Sequence, residues 1–183
     1  AYKLHSQGKI LEATKYYQYY IDQGFADYRV YTNYGTILKG LGKLEEAELS
    51  LRKAIELKPD FAIAHSNLGN TLKHLGKLNE AELLLRKAIE LKPDLATAYS
   101  NLGNVYRDLG KLEEAELSLR KAIELKPDFA TAYSNLGSTL NDIGKLEEAE
   151  LSLHKAIKLK PDFTNAYFNL STVELLQGNY QSG

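Results

Sequence analysis

Residues 42–61 read GKLEEAELSLRKAIELKPDF, and residues 110–129 repeat the same twenty letters. Variants of this block occupy 76–95 and 144–163, so the block returns every 34 residues. The four prolines keep the same interval and are Pro59, Pro93, Pro127 and Pro161. A fixed period of about 20–50 residues is typical of repeat proteins, in which stacked units bury a shared core. We therefore expect a solenoid rather than a protein with one central core.

The spacing of apolar residues predicts two helices in each unit, joined by a glycine turn. In the unit at 62–95, apolar positions recur at intervals of three and four, which indicates a first helix over 62–74 and a second over 78–91. Gly76 is expected to take the left-handed conformation of the turn. The aspartates that follow the prolines are expected to cap the next first helix; they are Asp60, Asp94, Asp128 and Asp162. The fold class is therefore predicted to be all-α.

Each unit is numbered so that its proline is position 32. This places complete repeats at 28–61, 62–95, 96–129 and 130–163, with partial repeats at 1–27 and 164–183, in a single array over 1–183. Gly178 is expected to form the turn of the last partial repeat, before a further second helix. Because both ends cut through a repeat and the chain contains no Met, we expect a segment of a longer protein.

Composition excludes several kinds of function. The 23 Lys and Arg residues against 24 Asp and Glu leave a net charge of -1, which disfavours nucleic acid or an anionic membrane as a partner. Without Cys there is no disulfide framework and no thiolate metal site. The longest apolar runs are far shorter than the roughly 18 residues that cross a bilayer. No signal-peptide pattern opens the chain, and we expect a cytoplasmic location.

One repeat carries the family resemblance most completely. Its apolar, small and proline positions are, in order, Tyr99, Leu102, Gly103, Tyr106, Ala115, Leu119, Ala122 and Pro127. This pattern resembles the tetratricopeptide repeat. The resemblance implies a right-handed α-α superhelix whose first helices line a concave groove and whose second helices face outward. It also implies that positions 2, 5, 6, 9, 12 and 13 of the first helices face that groove.

Position 6 of every first helix is asparagine. The five residues are Asn33, Asn67, Asn101, Asn135 and Asn169. Position 9 adds Asn70 and Asn104, and position 12 adds a cationic edge of Lys39, Lys73 and Arg107. An amide both donates and accepts hydrogen bonds, so a row of asparagines suits the main chain of an extended peptide. The alternative is that the asparagines are copies left by duplication, or that they bond to neighbouring helices.

The leading functional hypothesis is a non-catalytic protein-interaction scaffold that binds an extended peptide in this groove. Phrases such as AYSNLGNVYRDLGKLEEAE at 98–116 are also similar to the repeats of protein O-linked N-acetylglucosamine transferases. That resemblance implies an alternative function, a substrate-docking arm of a glycosyltransferase whose catalytic domain lies outside these residues. The sequence shows no catalytic motif, and we expect no cofactor.

The remaining candidates for chemistry are weak. The four histidines, His5, His65, His74 and His154, lack the spacing of metal ligands, and His65 is expected to replace a core tyrosine. Asp108 and Asp142 share position 13 and are expected to lie on a solvated edge. On the second helices, Glu and Arg four residues apart are expected to form solvent-exposed pairs: Glu48–Arg52, Glu82–Arg86 and Glu116–Arg120.

Tyrosines are concentrated near the start of the chain. Eight of the 13 lie in the first 34 residues: Tyr2, Tyr16, Tyr17, Tyr19, Tyr20, Tyr28, Tyr31 and Tyr34. Tyrosine combines a large apolar ring with a polar tip and is enriched at protein interfaces. The sequence thus predicts self-association through this part, or through repeat ends that lack a capping helix. Divergence of an outer repeat is the alternative.

Overall fold

A computed structural model describes residue 4 and residues 7–181, the side chains of residues 179–181 excepted. Every regular element in the described residues is a helix. In chain order the ten helices are α1 (Ile10–Asp22), α2 (Tyr28–Gly40), α3 (Leu44–Leu57), α4 (Ala62–His74), α5 (Leu78–Leu91), α6 (Ala96–Asp108), α7 (Leu112–Leu125), α8 (Ala130–Ile143), α9 (Leu146–Leu159) and α10 (Thr164–Gln181). The predicted helices over 62–74 and 78–91 are confirmed at both of their bounds.

The chain forms two compact units, Ala1–Pro93 with α1 to α5 and Asp94–Gly183 with α6 to α10. Within each unit, every helix packs against the next helix along the chain. First helices also pack against the next first helix, α2 against α4 in the first unit, and α6 against α8 and α8 against α10 in the second. The fold is therefore an all-α helical repeat, and the first helices of each unit share what we call the first-helix face. A single array over 1–183 stays a prediction.

Close approach of the two helices of a repeat explains the glycine at position 8. A Cβ built on Gly69 would lie 2.6 Å from Cγ of Leu85 and 3.2 Å from the carbonyl oxygen of Ala81. Leu85 is fully buried, and burying a leucine contributes about 1.5–3 kcal/mol. The space that glycine leaves is thus filled by a leucine of the facing helix. The turn glycine is also confirmed, because Gly76 has a φ of +74° in the left-handed region.

The aspartates expected to cap the first helices do not do so at α4, α6 and α8. The N-cap of each of these helices is the residue that follows the aspartate, and these residues, Phe61, Leu95 and Phe129, make no side-chain cap bond. At α4 the cap residue is held by packing, since Phe61 is partly buried and its ring meets that of Tyr28 edge-on at 4.8 Å. Helix α2 does have a side-chain cap that was not predicted: Asp27, at the repeat position of Phe61, accepts a hydrogen bond from the Arg29 N–H at 2.8 Å.

The expected turn at Gly178 is also wrong. Helix α10 continues through Gly178 to Gln181 without a break. In the complete repeats an apolar residue precedes the turn glycine, such as Leu75 before Gly76, whereas Gln177 occupies that position here. Instead of ending the helix, Gln177 donates to the Glu150 carboxylate of α9 at 3.1 Å, which favours the helical course at this point.

The glutamate–arginine pairs of the second helices are less exposed than predicted. Glu48 accepts hydrogen bonds from Arg52 of its own helix and from Lys77 before α5, each at 2.7 Å, and its side chain is 12% exposed. Arg52 also reaches Glu80 of α5 at 2.6 Å. The Glu48–Arg52 pair therefore belongs to a network that joins neighbouring repeats. Burial alone would raise the pKa of Glu48, but the bonds from Lys77 and Arg52 together hold it below its ordinary value.

His65 lies in the core, as the sequence predicts. It is buried, and its Nε2 lies 2.8 Å from the carbonyl oxygen of Pro59. Elsewhere in the fold, no helix among the described residues combines the length and the apolar character that a membrane span requires.

Candidate functional site

The five position-6 asparagines all lie half-buried on first helices. Asn33 and Asn67 are in the first unit, and Asn101, Asn135 and Asn169 are in the second. Asn70 and Asn104, at position 9, are half-buried as well. Every predicted asparagine thus lies partly open on a first helix.

Three of these asparagines bond to the preceding first helix. Nδ2 of Asn67 donates to Oγ1 of Thr36 at 3.0 Å, and Nδ2 of Asn169 donates to Oγ of Ser138 at 2.7 Å. Asn135 makes a longer bond of the same kind to Oγ of Ser100, at 3.5 Å. The hydroxyl partners were not predicted. Their signal was present in the sequence as the Ser and Thr residues of positions 5 and 9, one repeat earlier.

These bonds orient the amides but occupy only part of their hydrogen-bonding capacity. An asparagine side chain has two N–H donors and a carbonyl oxygen with two lone pairs. Within the part of the chain that the structure describes, Asn67, Asn135 and Asn169 each commit only one side-chain N–H. The other N–H and the carbonyl oxygen stay available. The sequence left bonding to neighbouring helices open as an alternative to ligand binding, and the geometry allows both.

Position 5 does not line the surface as the resemblance implies. Thr32, Ser66, Ser100 and Ser134 are 2–3% exposed. Small hydroxylic side chains at this position are covered where first helices pack together, and Ser100 accepts the bond from Asn135 there. Phe168 has the same position in α10 and is 72% exposed, because no described helix packs beyond α10.

The cationic edge differs between the two units. Lys39, Lys73 and Arg107 are half-buried in the last turns of α2, α4 and α6. Burial, with a smaller effect from the charge of Lys73, lowers the pKa of Lys39 below its ordinary value. In the second unit Nε of Arg107 lies 3.9 Å from Oδ2 of Asp142. The predicted cations are thus on the face, and the arginine of the second unit lies beside an acid.

A recess of about 670 Å³ lies on the first-helix face of the second unit. Asn135 and Asn169 line it together with Arg107, Phe163 and Phe168. The recess therefore combines amides, one cation and aromatic rings, which is the mixture that ligand sites commonly offer. Phe168 was not predicted as a site residue, although an aromatic residue replaces Ser or Thr at position 5 there.

A second recess of about 670 Å³ lies in the first unit, beside Asn33. Its walls include the exposed Tyr16 and Tyr19, and Ile63. At its edge Arg29 forms an ion pair with Asp27 at 2.6 Å, and the Arg29 side-chain hydrogen bond lowers the pKa of Asp27. This recess is mainly aromatic and carries no net charge. Self-association through it stays a prediction.

Metal chemistry has no support in this geometry, since the described part of the chain holds no group of three or more potential metal ligands.

Comparison with known proteins identifies related chains. A family model described as TPR repeat matches residues 35–76, 69–108 and 103–144, and a model described as tetratricopeptide repeat matches 130–163. No curated protein matches the chain.

Three solved structures illustrate the similarity in the arrangement of helices. A thermophilic TPR protein from Thermus thermophilus has a TM-score of 0.81 at 21% identity, over 94% of both chains. A crystal structure of MamA has a TM-score of 0.70 at 26% identity, over 87% of this chain and 93% of that one. The first TPR of Spaghetti, bound to the HSP90 peptide SRMEEVD, has a TM-score of 0.61 at 26% identity, over 64% of this chain and 93% of that one.

Proposed function

Because the chain belongs to the tetratricopeptide repeat family, we propose that it is a non-catalytic scaffold whose first-helix faces bind extended segments of a partner protein. One observation carries the proposal. Asn67 of the first unit and Asn169 of the second are each oriented by a bond to the preceding first helix, while their side-chain carbonyl oxygen and second N–H stay available. Groups held in place before binding lose less entropy when a ligand arrives.

The spacing of the asparagines suits a peptide main chain. Packed helices repeat every 8–10 Å or so, and an extended chain advances about 3.3 Å per residue. One amide therefore meets about every third ligand residue. Recognition through the main chain would tolerate varied ligand side chains, because every peptide unit offers the same donor and acceptor.

A relative supports the class of ligand. The first TPR of Spaghetti holds a peptide in its solved structure, and the present chain is 26% identical to it. What the comparison supports is a peptide as the partner class.

The proposal is tested with Asn67→Ala. Dodecapeptides are selected on the full chain from a random display library, and their affinity is measured by fluorescence polarisation. For the peptides that bind the first unit, we expect Asn67→Ala to lower the affinity about 5–10-fold, as the loss of one or two hydrogen bonds predicts. N-methylation of single ligand residues should weaken binding more than alanine replacement does.

Asn79→Ala is the matched control, because Asn79 is exposed on the second helix α5. It should leave affinity unchanged. Thr36→Val removes the hydroxyl that orients Asn67 but keeps the amide itself, and we expect a smaller loss of about 2–3-fold. The proposal is wrong if selection yields no peptide, or if binding is indifferent to position 6 in both units.

The alternative, a docking arm of a glycosyltransferase, rests on the resemblance of the repeats and on the same five asparagines. The two functions differ only in whether the bound segment is presented to a catalytic domain. Sequencing the gene on both sides of these residues tests it, and a flanking glycosyltransferase domain is the result that would favour it.

A further inference from the structure

Lys39 is a half-buried cation on the first-helix face of the first unit, with no ion pair among the described residues. Lys73 has the same position on the adjacent helix α4. Burial, and then the charge of Lys73, lower the pKa of Lys39, so its ammonium ion is disfavoured on both counts. An anion placed over Lys39 would offset both effects.

In the second unit the corresponding cation has an acid nearby. There Arg107 has the position of Lys39, and Asp142 of the next first helix lies 3.9 Å away. The difference arises at position 13 of the next first helix, which is His74 for Lys39 and Asp142 for Arg107. Lys39 therefore has no acid at the position from which Asp142 approaches Arg107.

The lysines form a row parallel to the asparagines. Lys39 follows Asn33 by six residues on the same helix, which places it about 9 Å further along the axis. It follows Thr36, the partner of Asn67, by less than one turn. A peptide main chain on the asparagines would pass beside the lysines, and a long acidic side chain would extend toward them.

We propose that Lys39, with Lys73 beside it, forms a subsite that binds the carboxylate of an Asp or Glu side chain in the bound peptide. This inference rests on the proposed function. A side chain is favoured over a chain terminus for a geometric reason. Arg29, at the opposite end of α2 from Lys39, is already bound to Asp27 at 2.6 Å, so it adds no further cation for a terminal carboxylate. The first-helix face of this unit would therefore select acidic peptides.

The test uses the same random dodecapeptide library on the full chain and on Lys39→Gln. Peptides selected on the unmodified chain should carry Asp or Glu at one preferred position, and this preference should be lost with Lys39→Gln. The leading peptide is then made with an amidated C-terminus, together with its Glu→Gln twin. We expect the unmodified chain to bind the twin about 5-fold more weakly, and Lys39→Gln to bind both alike.

Arg107→Gln is the matched control at the same position of the second unit, and it should keep the acidic preference. Lys39→Gln should melt no lower than the unmodified chain, because it removes a half-buried charge, so lost binding would not reflect unfolding. If the selected peptides show no preference for Asp or Glu but their affinity still depends on Asn67, the proposed subsite is wrong and the proposed scaffold function stands. A preference that survives Lys39→Gln, or that disappears on amidation, would also overturn it. Failure to select any peptide would overturn both proposals.

Discussion

The Gly69→Val variant is expected to lose about 3 kcal/mol of unfolding free energy, at the upper end of what overpacking usually costs. Even the first added carbon would lie 2.6 Å from Cγ of Leu85, which is fully buried. The carbonyl oxygen of Ala81 at 3.2 Å is backbone, so the two helices would have to separate. Urea unfolding followed by circular dichroism measures the change through the midpoint.

Gly40→Val is the control, because Gly40 ends the neighbouring first helix and a Cβ there meets nothing within 4 Å. Its effect should stay within about 0.5 kcal/mol, as for other surface changes. Leu85→Ala is destabilising by itself, but Gly69→Val should cost less in the Leu85→Ala background, since the smaller residue vacates the space that valine enters. The double-mutant cycle of Gly69→Val and Leu85→Ala should give a favourable coupling energy of at least about 1 kcal/mol. A smaller coupling would show that the contact with Leu85 does not explain the glycine.

Much of the fold is predictable from local sequence because each repeat contains its own signals. The apolar spacing and the turn glycine place the helices at 62–74 and 78–91, and the structure has the same bounds. The close approach at Gly69 is predictable too, since a helical glycine needs a reason in packing. These features depend on contacts within one repeat, and 34 residues are enough to encode them.

The features that were missed depend on neighbouring repeats. Asp60 is a good capping residue by type, but the ring of Phe61 packs at the cap position instead. Glu48 has the spacing of an exposed pair, yet Lys77 from the next repeat reaches it. The bond from Asn67 to Thr36 spans 31 residues. Sequence reasoning identified the row of asparagines, but only the packed helices show which of their hydrogen-bonding groups are already used.

Glu48→Gln should destabilise the first unit by about 1–2 kcal/mol at pH 7, because it weakens two charge-assisted bonds of a side chain that is 12% exposed. The loss should depend on pH. The folded-state pKa of Glu48 lies below its ordinary value of 4.5, so the carboxylate stabilises the fold above that pH. This stabilisation is lost as the pH falls through the folded-state pKa.

The difference in unfolding free energy between the unmodified chain and Glu48→Gln should therefore be constant from pH 7 to about 5, and should shrink below 4.5. Glu45→Gln removes the same charge from an exposed position of the same helix, and it should change stability by less than about 0.5 kcal/mol. Urea midpoints measured across this pH range provide the comparison. In the second unit Glu116 has the two corresponding partners, Arg120 at 2.8 Å and Lys145 at 2.9 Å. We therefore expect Glu116→Gln to show the same loss of stability and the same dependence on pH. A loss that is the same at every pH would mean that packing rather than charge keeps these glutamates buried, because only an ionised carboxylate gains from its two cations.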